Sequence, residues 1–226
     1  MATTGTSLKH YLEGIGMTSR RTRERMVKRL EEQGIKNTDL LRVMRDTPRH
    51  IFVDEALASR AYEDTALPIG YNQTISQPYI VAKMTELLLE KSGLTKVLEI
   101  GTGCGYQTAV LAQLVQNVYT VERILPLQKK AQNYLANLAL ENIYHQHNDG
   151  GLGWADYAPF DGILVSAAAD TVPGMLLQQL AIGGVMLIPI VNDCGQVLQR
   201  ITRLTTGYQV EDLEPVSFVP FLSGVE

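Results

Sequence analysis

Three closely spaced glycines and two acids near the middle of the chain carry the clearest chemical signal. An apolar run, Val97–Ile100, contains Glu99 and leads into a loop at 101–105 with glycine at every second position. A second apolar run, 118–121, ends at Glu122. This order predicts a strand, a glycine-rich turn, a helix and a second strand, the arrangement that binds adenosine-bearing cofactors. Glu122 lies where an acid accepts hydrogen bonds from the two ribose hydroxyls.

The position of Glu99 helps to distinguish between possible cofactors. A dinucleotide loop presents backbone N–H groups to an anionic pyrophosphate, which a neighbouring carboxylate would repel. S-adenosylmethionine has no phosphate and carries an ammonium and a sulfonium, so an acid beside the loop attracts it. The pattern therefore favours S-adenosylmethionine over NAD or a flavin. A glycine-rich turn without any ligand is the remaining alternative.

A third strand candidate, 143–148, ends in Asp149 and Gly150. An acid at the carboxyl end of this strand is placed to accept a hydrogen bond from the adenine amino group. The alternative is an ordinary Asp-Gly turn, which occurs in many proteins. The position next to the expected crevice favours the cofactor role for Asp149.

Composition and charge narrow the class of protein. The chain has 226 residues, 45% hydrophobic and 19% charged, with a net charge of −4, which is typical of a globular protein and disfavours nucleic acid as a partner. No apolar run has membrane-spanning length, so we expect no membrane partner. Two cysteines, Cys104 and Cys194, form no disulfide framework and favour the cytoplasm, and we interpret Cys104 as a packing residue rather than a nucleophile. The basic residues between 20 and 29 suggest a nucleic-acid arm, but a solvated helix face is favoured.

Alternation of strands and helices predicts the fold class and the domains. We expect a flexible leader at 1–18, a helical cap with a substrate-binding segment at 19–78, and a Rossmann-like domain at 79–226. The predicted fold is α/β, a doubly wound and mostly parallel sheet of the S-adenosylmethionine-dependent methyltransferase type with a helical N-terminal cap. Predicted strands lie at 96–100, 117–122, 143–148, 160–166, 184–190, 196–205 and 215–221, the last two closing a sheet edge with at least one antiparallel strand.

A polar, turn-rich segment at 62–78 precedes the Rossmann-like domain. It contains Gln73-Thr-Ile-Ser-Gln-Pro78, which combines Thr, Ser and Gln side chains. Composition alone fits a rigid loop that holds a polar ligand and a structural linker equally well.

Several segments together resemble the protein-L-isoaspartate O-methyltransferase family. They are Asp46-Thr-Pro-Arg-His-Ile-Phe-Val53, Ala66-Leu-Pro-Ile-Gly70, Gln73–Pro78, Val97–Ala109, Val121-Glu-Arg123 and Val216-Ser-Phe-Val-Pro-Phe221. The resemblance extends from about Ser19 to the C-terminus. It implies methyl transfer from S-adenosyl-L-methionine, giving S-adenosyl-L-homocysteine, to the α-carboxylate of L-isoaspartyl residues in damaged proteins. The ester then cyclises to a succinimide, from which normal aspartate is restored.

The resemblance also implies a set of site residues. The family's catalytic serine corresponds to Ser76, with substrate contacts at Thr74, Ile75 and Gln77. Cofactor contacts correspond to Glu99, Gly101, Thr102, Gly103, Glu122, Asp149 and Gly150. The chain departs from similar bacterial enzymes at Gly151, Ser166 and Asp170, which border the expected crevice.

The residues at the proposed site agree with this chemistry. A carboxylate is ionised at neutral pH, so methylation needs no general base, and none is evident near Ser76. We expect the Ser76 hydroxyl to orient the acceptor carboxylate rather than to act as a covalent nucleophile. His145 and His147 share a strand face but lack partners at ligand spacing, so we expect no metal. The alternatives are a methyltransferase for RNA, DNA or a small molecule, and a non-catalytic binding module. We expect a monomer that binds isoaspartyl-containing proteins and peptides.

Overall fold

The computed structural model describes residues 14–226, so most of the expected leader at 1–18 lies outside the described residues. A single 3-10 turn, Gly16–Thr18, opens the described chain. The chain divides into two compact units, the first extending to Glu86 and the second comprising Leu87–Glu226. The second unit therefore begins inside a helix that the sequence assigned to the Rossmann-like domain from residue 79.

The first unit is mainly helical, as expected. Its elements are α1 (Arg20–Glu32), α2 (Thr38–Asp46), two 3-10 helices (Arg49–Phe52 and Glu55–Arg60), β1 (Leu67–Gly70) and β2 (Gln73–Ile75). Helix α1 buries Met26 and Leu30 on one face. It ends in a Schellman motif, in which Gly34 has a φ of 100° and the Ile35 N–H donates to the Leu30 carbonyl. Helix α2 begins where the Asn37 side chain accepts a hydrogen bond from the Leu40 N–H.

Strands β1 and β2 form a hairpin in the segment that the sequence left open between a loop and a linker. Leu67 pairs with Ile75 in antiparallel register, and both side chains are buried. Tyr71 and Asn72 connect the strands with φ values of 53° and 54°. Positive φ at both central positions is the geometry of a type I′ turn, which matches the twist of a two-residue hairpin. The hairpin fixes the residues that immediately precede Ser76.

A central sheet organises the second unit, and among residues 14–226 it has seven strands in the order β5-β4-β3-β6-β7-β8-β9. Its strands are β3 (Lys96–Ile100), β4 (Asn117–Glu122), β5 (Ile143–His147), β6 (Phe160–Val165), β7 (Leu180–Asn192), β8 (Gly195–Arg203) and β9 (Tyr208–Val216). Its helices are the end of α3 (Pro78–Leu89), α4 (Tyr106–Ala112), α5 (Leu125–Asn137) and α6 (Gly174–Gln179). Strands β3 to β7 run parallel, while β8 and β9 are antiparallel. The predicted doubly wound fold is confirmed.

Strand β3 lies at the centre of this sheet because its sequence is apolar on both faces. Val97 and Leu98 are fully buried, and Ile100 is 3% exposed. A strand buried on both faces is typical of a parallel sheet covered by helices. The amino end of β3 is held by Asp161, whose Oδ2 accepts hydrogen bonds from the backbone N–H groups of Thr95 and Lys96.

The predicted strand at 215–221 is wrong. The last strand, β9, lies at Tyr208–Val216, and the apolar residues after it leave the sheet edge. Phe221 donates its N–H to the Ala168 carbonyl at 2.7 Å, so the tail passes the end of β6 instead of continuing beside β8. Strand β9 is mostly exposed and rich in acids, so its sequence lacks the alternation of apolar and polar residues that predicts a half-buried strand.

Candidate active site

The glycine loop lies where the order of strands in the sheet reverses. The chain proceeds from β3 outward through β4 to β5 and then returns to β6 on the other side of β3. Ligands of open α/β sheets bind beyond the carboxyl ends of the strands at such a switch point. Gly101 has a φ of 91°, and a Cβ built on it would lie 3.5 Å from the Ser166 Cβ. The loop therefore passes closely between the ends of β3 and β6, as a glycine permits.

Glu122 holds this loop in place. Its side chain is 4% exposed, and its Oε2 accepts a hydrogen bond from the Gly103 N–H at 2.8 Å. Its Oε1 accepts from the Ile124 N–H at 2.9 Å. Each carboxylate oxygen retains further acceptor capacity. The acid that the sequence predicts to bind a ribose thus holds the loop in its observed conformation.

Glu99 is fully buried at the end of β3. Its Oε2 accepts hydrogen bonds from the hydroxyls of Thr108 at 2.5 Å and Thr120 at 2.6 Å. Its Oε1 is buried and finds no hydrogen-bond partner among residues 14–226. Burial raises the pKa of Glu99 to about 7, because the two threonine hydroxyls only partly offset desolvation and the nearby Glu122 charge opposes ionisation. The site thus contains an acid with an unsatisfied acceptor atom.

A chain of hydroxyls connects Glu99 to the loop. The hydroxyl oxygens of Thr102 and Thr120 lie 2.6 Å apart, and both side chains are buried. Because Thr120 has one hydroxyl proton and donates it to Glu99, Thr102 must donate its own proton to Thr120. The Thr102 oxygen is therefore left as an acceptor only. Sequence reasoning named Thr102 but missed Thr108 and Thr120, although a threonine inside the apolar strand β4 was a visible signal.

Asp149 and Gly150 follow β5 at the same edge of the sheet. Asp149 Oδ1 accepts a hydrogen bond from the Gly151 N–H at 2.8 Å. Its Oδ2 accepts from the Gly224 N–H at 2.6 Å. A Cβ on Gly150 would lie 2.5 Å from the Ile100 Cγ2, so only glycine fits there without displacement. A Cβ on Gly151 would lie 3.2 Å from Asp149 Oδ1, so the departure at this position leaves the Asp149 carboxylate uncrowded.

The C-terminal residues are part of the same edge, which the sequence did not indicate. Glu226 donates its N–H to the Arg123 carbonyl at 2.7 Å and accepts from the Leu125 N–H at 2.8 Å. The Arg123 guanidinium also contacts the Glu226 carboxylate at 3.1 Å. The tail thereby connects the ends of β4 and β5 through Arg123 and Asp149.

The residues expected to bind substrate lie in the first unit. Ser76 directly follows β2 and is half-buried, while Thr74 is exposed and Gln77 is half-buried. The Ile75 side chain is 4% exposed and belongs to the core of this unit. The Ser76 carbonyl accepts a hydrogen bond from Arg49 Nη2 at 2.7 Å, a contact that sequence reasoning missed.

The two histidines of β5 and the two cysteines lie in different environments. His147 lies 2.9 Å from the Arg123 carbonyl through its Nε2. Burial lowers the pKa of His145. Cys104 is buried in the loop and Cys194 is exposed. Within residues 14–226, no group of three or more His, Cys, Asp or Glu side chains is arranged to hold a metal ion. No helix of this part of the chain is both long and apolar enough to cross a membrane.

The fold and the loop define a class of protein. A switch-point glycine loop with acids at the ends of β3 and β4 is characteristic of Rossmann-like, S-adenosylmethionine-dependent methyltransferases. A family model described as protein-L-isoaspartate (D-aspartate) O-methyltransferase matches residues 21–226. The chain belongs to this family, whose members are S-adenosylmethionine-dependent protein repair enzymes.

Curated relatives agree over nearly the whole chain. A protein-L-isoaspartate O-methyltransferase of Cellvibrio japonicus is 60% identical over 216 residues, covering 94% of this chain and 96% of its own. One from Pseudomonas aeruginosa is 58% identical over 208 residues, covering 92% and 99%. The expected family, enzyme class and cofactor are confirmed.

Solved structures show the same architecture. A protein-L-isoaspartate O-methyltransferase structure, 26% identical, superposes with a TM-score of 0.80 and covers 88% of this chain and 65% of its own. A structure described as a protein-L-isoaspartate O-methyltransferase from Plasmodium falciparum, in complex with S-adenosyl-L-homocysteine, is also 26% identical. It has a TM-score of 0.77 and covers 87% of this chain and 96% of its own.

The residues present fit this cofactor. S-adenosylmethionine is cationic at its ammonium and sulfonium and carries no phosphate, and the loop is flanked by the two carboxyl groups of Glu99 and Glu122. The buried Glu99 Oε1 lacks a donor among the described residues, and an ammonium supplies one. A Glu99 carboxylate so close to the loop would repel the pyrophosphate of a dinucleotide.

Proposed function

We propose that the chain methylates the α-carboxylate of L-isoaspartyl residues, with Ser76 as the residue that orients this acceptor. The buried Glu99, with its unsatisfied Oε1, supports S-adenosylmethionine as the methyl donor. Membership of the family supports the isoaspartyl carboxylate as the methyl acceptor. S-adenosylmethionine, when bound, supplies the electrophilic methyl group.

The second unit holds the donor through distinct groups. We assign the ammonium to Glu99 and the acceptor oxygen of Thr102, and the ribose hydroxyls to Glu122. The adenine amino group is assigned to Asp149. Gly101, Gly103 and Gly150 contribute close backbone approach rather than side-chain contacts.

Ser76 contributes orientation rather than proton transfer. The acceptor carboxylate is already ionised at neutral pH, so it needs no base, and an unactivated serine is a poor nucleophile. A hydroxyl that donates to one carboxylate oxygen leaves the other oxygen to attack. Holding both reactants in the productive geometry can supply roughly 7–11 kcal/mol of a barrier, and one orienting hydroxyl provides a part of it. Thr74 and Gln77 offer further polar contacts, and Ile75 supports the serine from the core.

The product is a methyl ester that is more reactive than the carboxylate. The neighbouring backbone nitrogen attacks the ester and expels methanol, giving a succinimide that hydrolyses in part to normal aspartate. The substrates are therefore isoaspartyl-containing proteins and peptides. We also propose that the enzyme acts as a monomer in the cytoplasm; a chain with only two cysteines, Cys104 and Cys194, suits a reducing compartment.

The test compares two peptides that differ only in L-isoaspartate or L-aspartate at one position. With methyl-labelled S-adenosylmethionine, we expect base-labile label on the isoaspartyl peptide alone. Ser76→Ala should lower kcat by about 100-fold, as for a misplaced reactant, while S-adenosylhomocysteine affinity by calorimetry stays within about twofold. Ser92→Ala is the matched control, since Ser92 is exposed between α3 and β3.

Other outcomes identify the rival functions. Label on neither peptide with cofactor affinity intact would favour a different methyl acceptor. Absence of both turnover and cofactor binding would refute the donor site itself. Full activity of the Ser76→Ala enzyme would refute the role of Ser76 alone.

A further inference from the structure

Arg49 connects the Asp46–Val53 segment directly to Ser76 in the proposed substrate segment. It lies on the 3-10 helix Arg49–Phe52 and is fully buried. Its Nε donates to the Ala61 carbonyl at 2.8 Å, and its Nη2 donates to the Ser76 carbonyl at 2.7 Å. One planar group thus joins three parts of the chain that are distant in sequence.

The residues after Ser76 are fixed by a second contact. Asp64 Oδ1 accepts a hydrogen bond from the Tyr79 N–H at 2.9 Å, at the first turn of α3. Asp64 is itself held by Gln33, whose Nε2 donates to Oδ2 at 2.9 Å. The chain is therefore fixed on both sides of the Ser76 side chain. The β1–β2 hairpin precedes it, and the Ser76 carbonyl and the Tyr79 N–H are each held by a hydrogen bond.

A buried guanidinium is a costly way to hold two carbonyls. Transferring a charge into a protein interior costs several kcal/mol unless hydrogen bonds compensate for it. Neutral donors would satisfy the same two carbonyls at lower cost. What a guanidinium adds is a rigid planar set of donors, which holds the Ala61 and Ser76 carbonyls in a fixed relation.

We propose that Arg49 is a positioning residue for methyl transfer: its planar guanidinium fixes the Ser76 peptide against the Ala61 carbonyl, and with it the direction of the Ser76 hydroxyl. The proposal rests on the proposed role of Ser76. It assigns Arg49 no contact with substrate, since its side chain is buried. The segment 46–53, which carries much of the family resemblance, thereby gains a function beyond packing.

The experiment measures kcat and KM on the isoaspartyl peptide for Arg49→Met and Arg49→Lys, in the wild-type and Ser76→Ala backgrounds. We expect Arg49→Met to lower kcat/KM by about 100-fold, the loss that a displacement of about 1 Å produces. Arg49→Lys keeps a donor for one carbonyl but not the planar fork that holds both, so it should recover part of this loss. S-adenosylhomocysteine affinity should remain within about twofold, because the assigned cofactor residues belong to the other unit.

The double variants separate a positioning role from a merely structural one. If Arg49 acts through Ser76, Arg49→Met should cost less than about threefold in an enzyme that already carries Ser76→Ala. Arg29→Met is the matched control, because Arg29 also donates to a backbone carbonyl of this unit, that of Tyr62, without touching the Ser76 segment. It should lower the melting temperature without the selective loss in kcat/KM.

Each result decides the proposal. Equal losses from Arg49→Met with and without Ser76 would overturn it, as would wild-type activity of Arg49→Lys or Arg49→Met. If Arg49→Met does not fold, Arg49→Lys and its double variant give the same comparison. A wild-type enzyme that leaves the isoaspartyl peptide unlabelled refutes the proposed function instead, and an inactive Ser76→Ala beside a fully active Arg49→Met refutes this inference alone.

Discussion

Glu99 combines a buried position with an ionisable group whose charged form the proposed site requires. Burial raises its pKa to about 7, with Glu122 adding to the shift and the hydroxyls of Thr108 and Thr120 opposing it. The raised value means that protonation of Glu99 begins near neutrality, far above the pH range of an exposed glutamate. Binding of a cationic ammonium should therefore depend on pH.

We predict that S-adenosylhomocysteine binds more weakly as the pH falls through 7. About one tenth of the protein has Glu99 ionised one pH unit below a pKa of about 7, so the dissociation constant at pH 6 should be about tenfold higher than at pH 8. Isothermal titration calorimetry across this range measures it, with proton release at pH 7 as a second readout. A flat affinity profile would contradict the proposed ammonium contact.

Two variants test whether Glu99 is the titrating group. Glu99→Gln removes the carboxyl group, so its affinity should be lower and independent of pH between 6 and 8. Thr108→Val removes a hydrogen bond that favours the carboxylate, so the transition should move to higher pH. Identical midpoints in Thr108→Val and the wild-type protein would assign the titration to another group.

At the level of elements, the turn after β5 and the end of β3 constrain each other. Gly150 approaches Ile100 so closely that a methyl group does not fit, and Ile100 directly precedes the loop glycine Gly101. Packing of this kind transmits a displacement from one strand end to the next, because protein interiors are close-packed.

We predict that Gly150→Ala destabilises the protein and weakens cofactor binding together. Overpacking of this kind costs about 1–3 kcal/mol, and the shift of Ile100 should displace the loop. Urea unfolding and calorimetry measure the two effects. Gly174→Ala is the control, because a Cβ there meets nothing within 4 Å at the start of α6. An unchanged free energy of unfolding in Gly150→Ala would show that Ile100 moves aside without destabilising the protein.

For the whole molecule, ligand binding and stability are linked. A ligand that binds only the folded protein at 100 times its dissociation constant stabilises it by about 2.7 kcal/mol. In a chain of 226 residues this corresponds to about 5–10 °C in melting temperature. We expect S-adenosylhomocysteine to produce such a shift by calorimetry. NAD at the same concentration should produce none, and an equal shift with NAD would revive the dinucleotide alternative.

The parts of the molecule that the sequence predicted are those with a local pattern. Strands β3, β4 and β6 are short apolar runs because both of their faces are buried, so their positions were evident. Glu99 and Glu122 were predicted as cofactor contacts from their spacing around the glycines, and they lie in the two strands on either side of the loop in the chain. Strand β9 was misplaced because its exposed residues lack apolar alternation, whereas the apolar residues near Phe221 turn toward Ala168.

The missed contacts join residues that no local pattern connects. Arg49 and Ser76 are 27 residues apart, and the Arg123–Glu226 pair is separated by 103. Such pairs form only when the fold is complete, so periodicity and motif spacing carry no trace of them. Thr120 is the intermediate case, since a polar residue in a buried strand indicates a partner without naming it.

The hydrogen bonds of Glu226 have a practical consequence for work on this protein. The last residue lies between the backbones of Arg123 and Leu125, and Gly224 is bonded to Asp149, which is assigned to adenine. An affinity tag or reporter fused after Glu226 must leave directly from this edge of the sheet, where its linker would compete with those contacts.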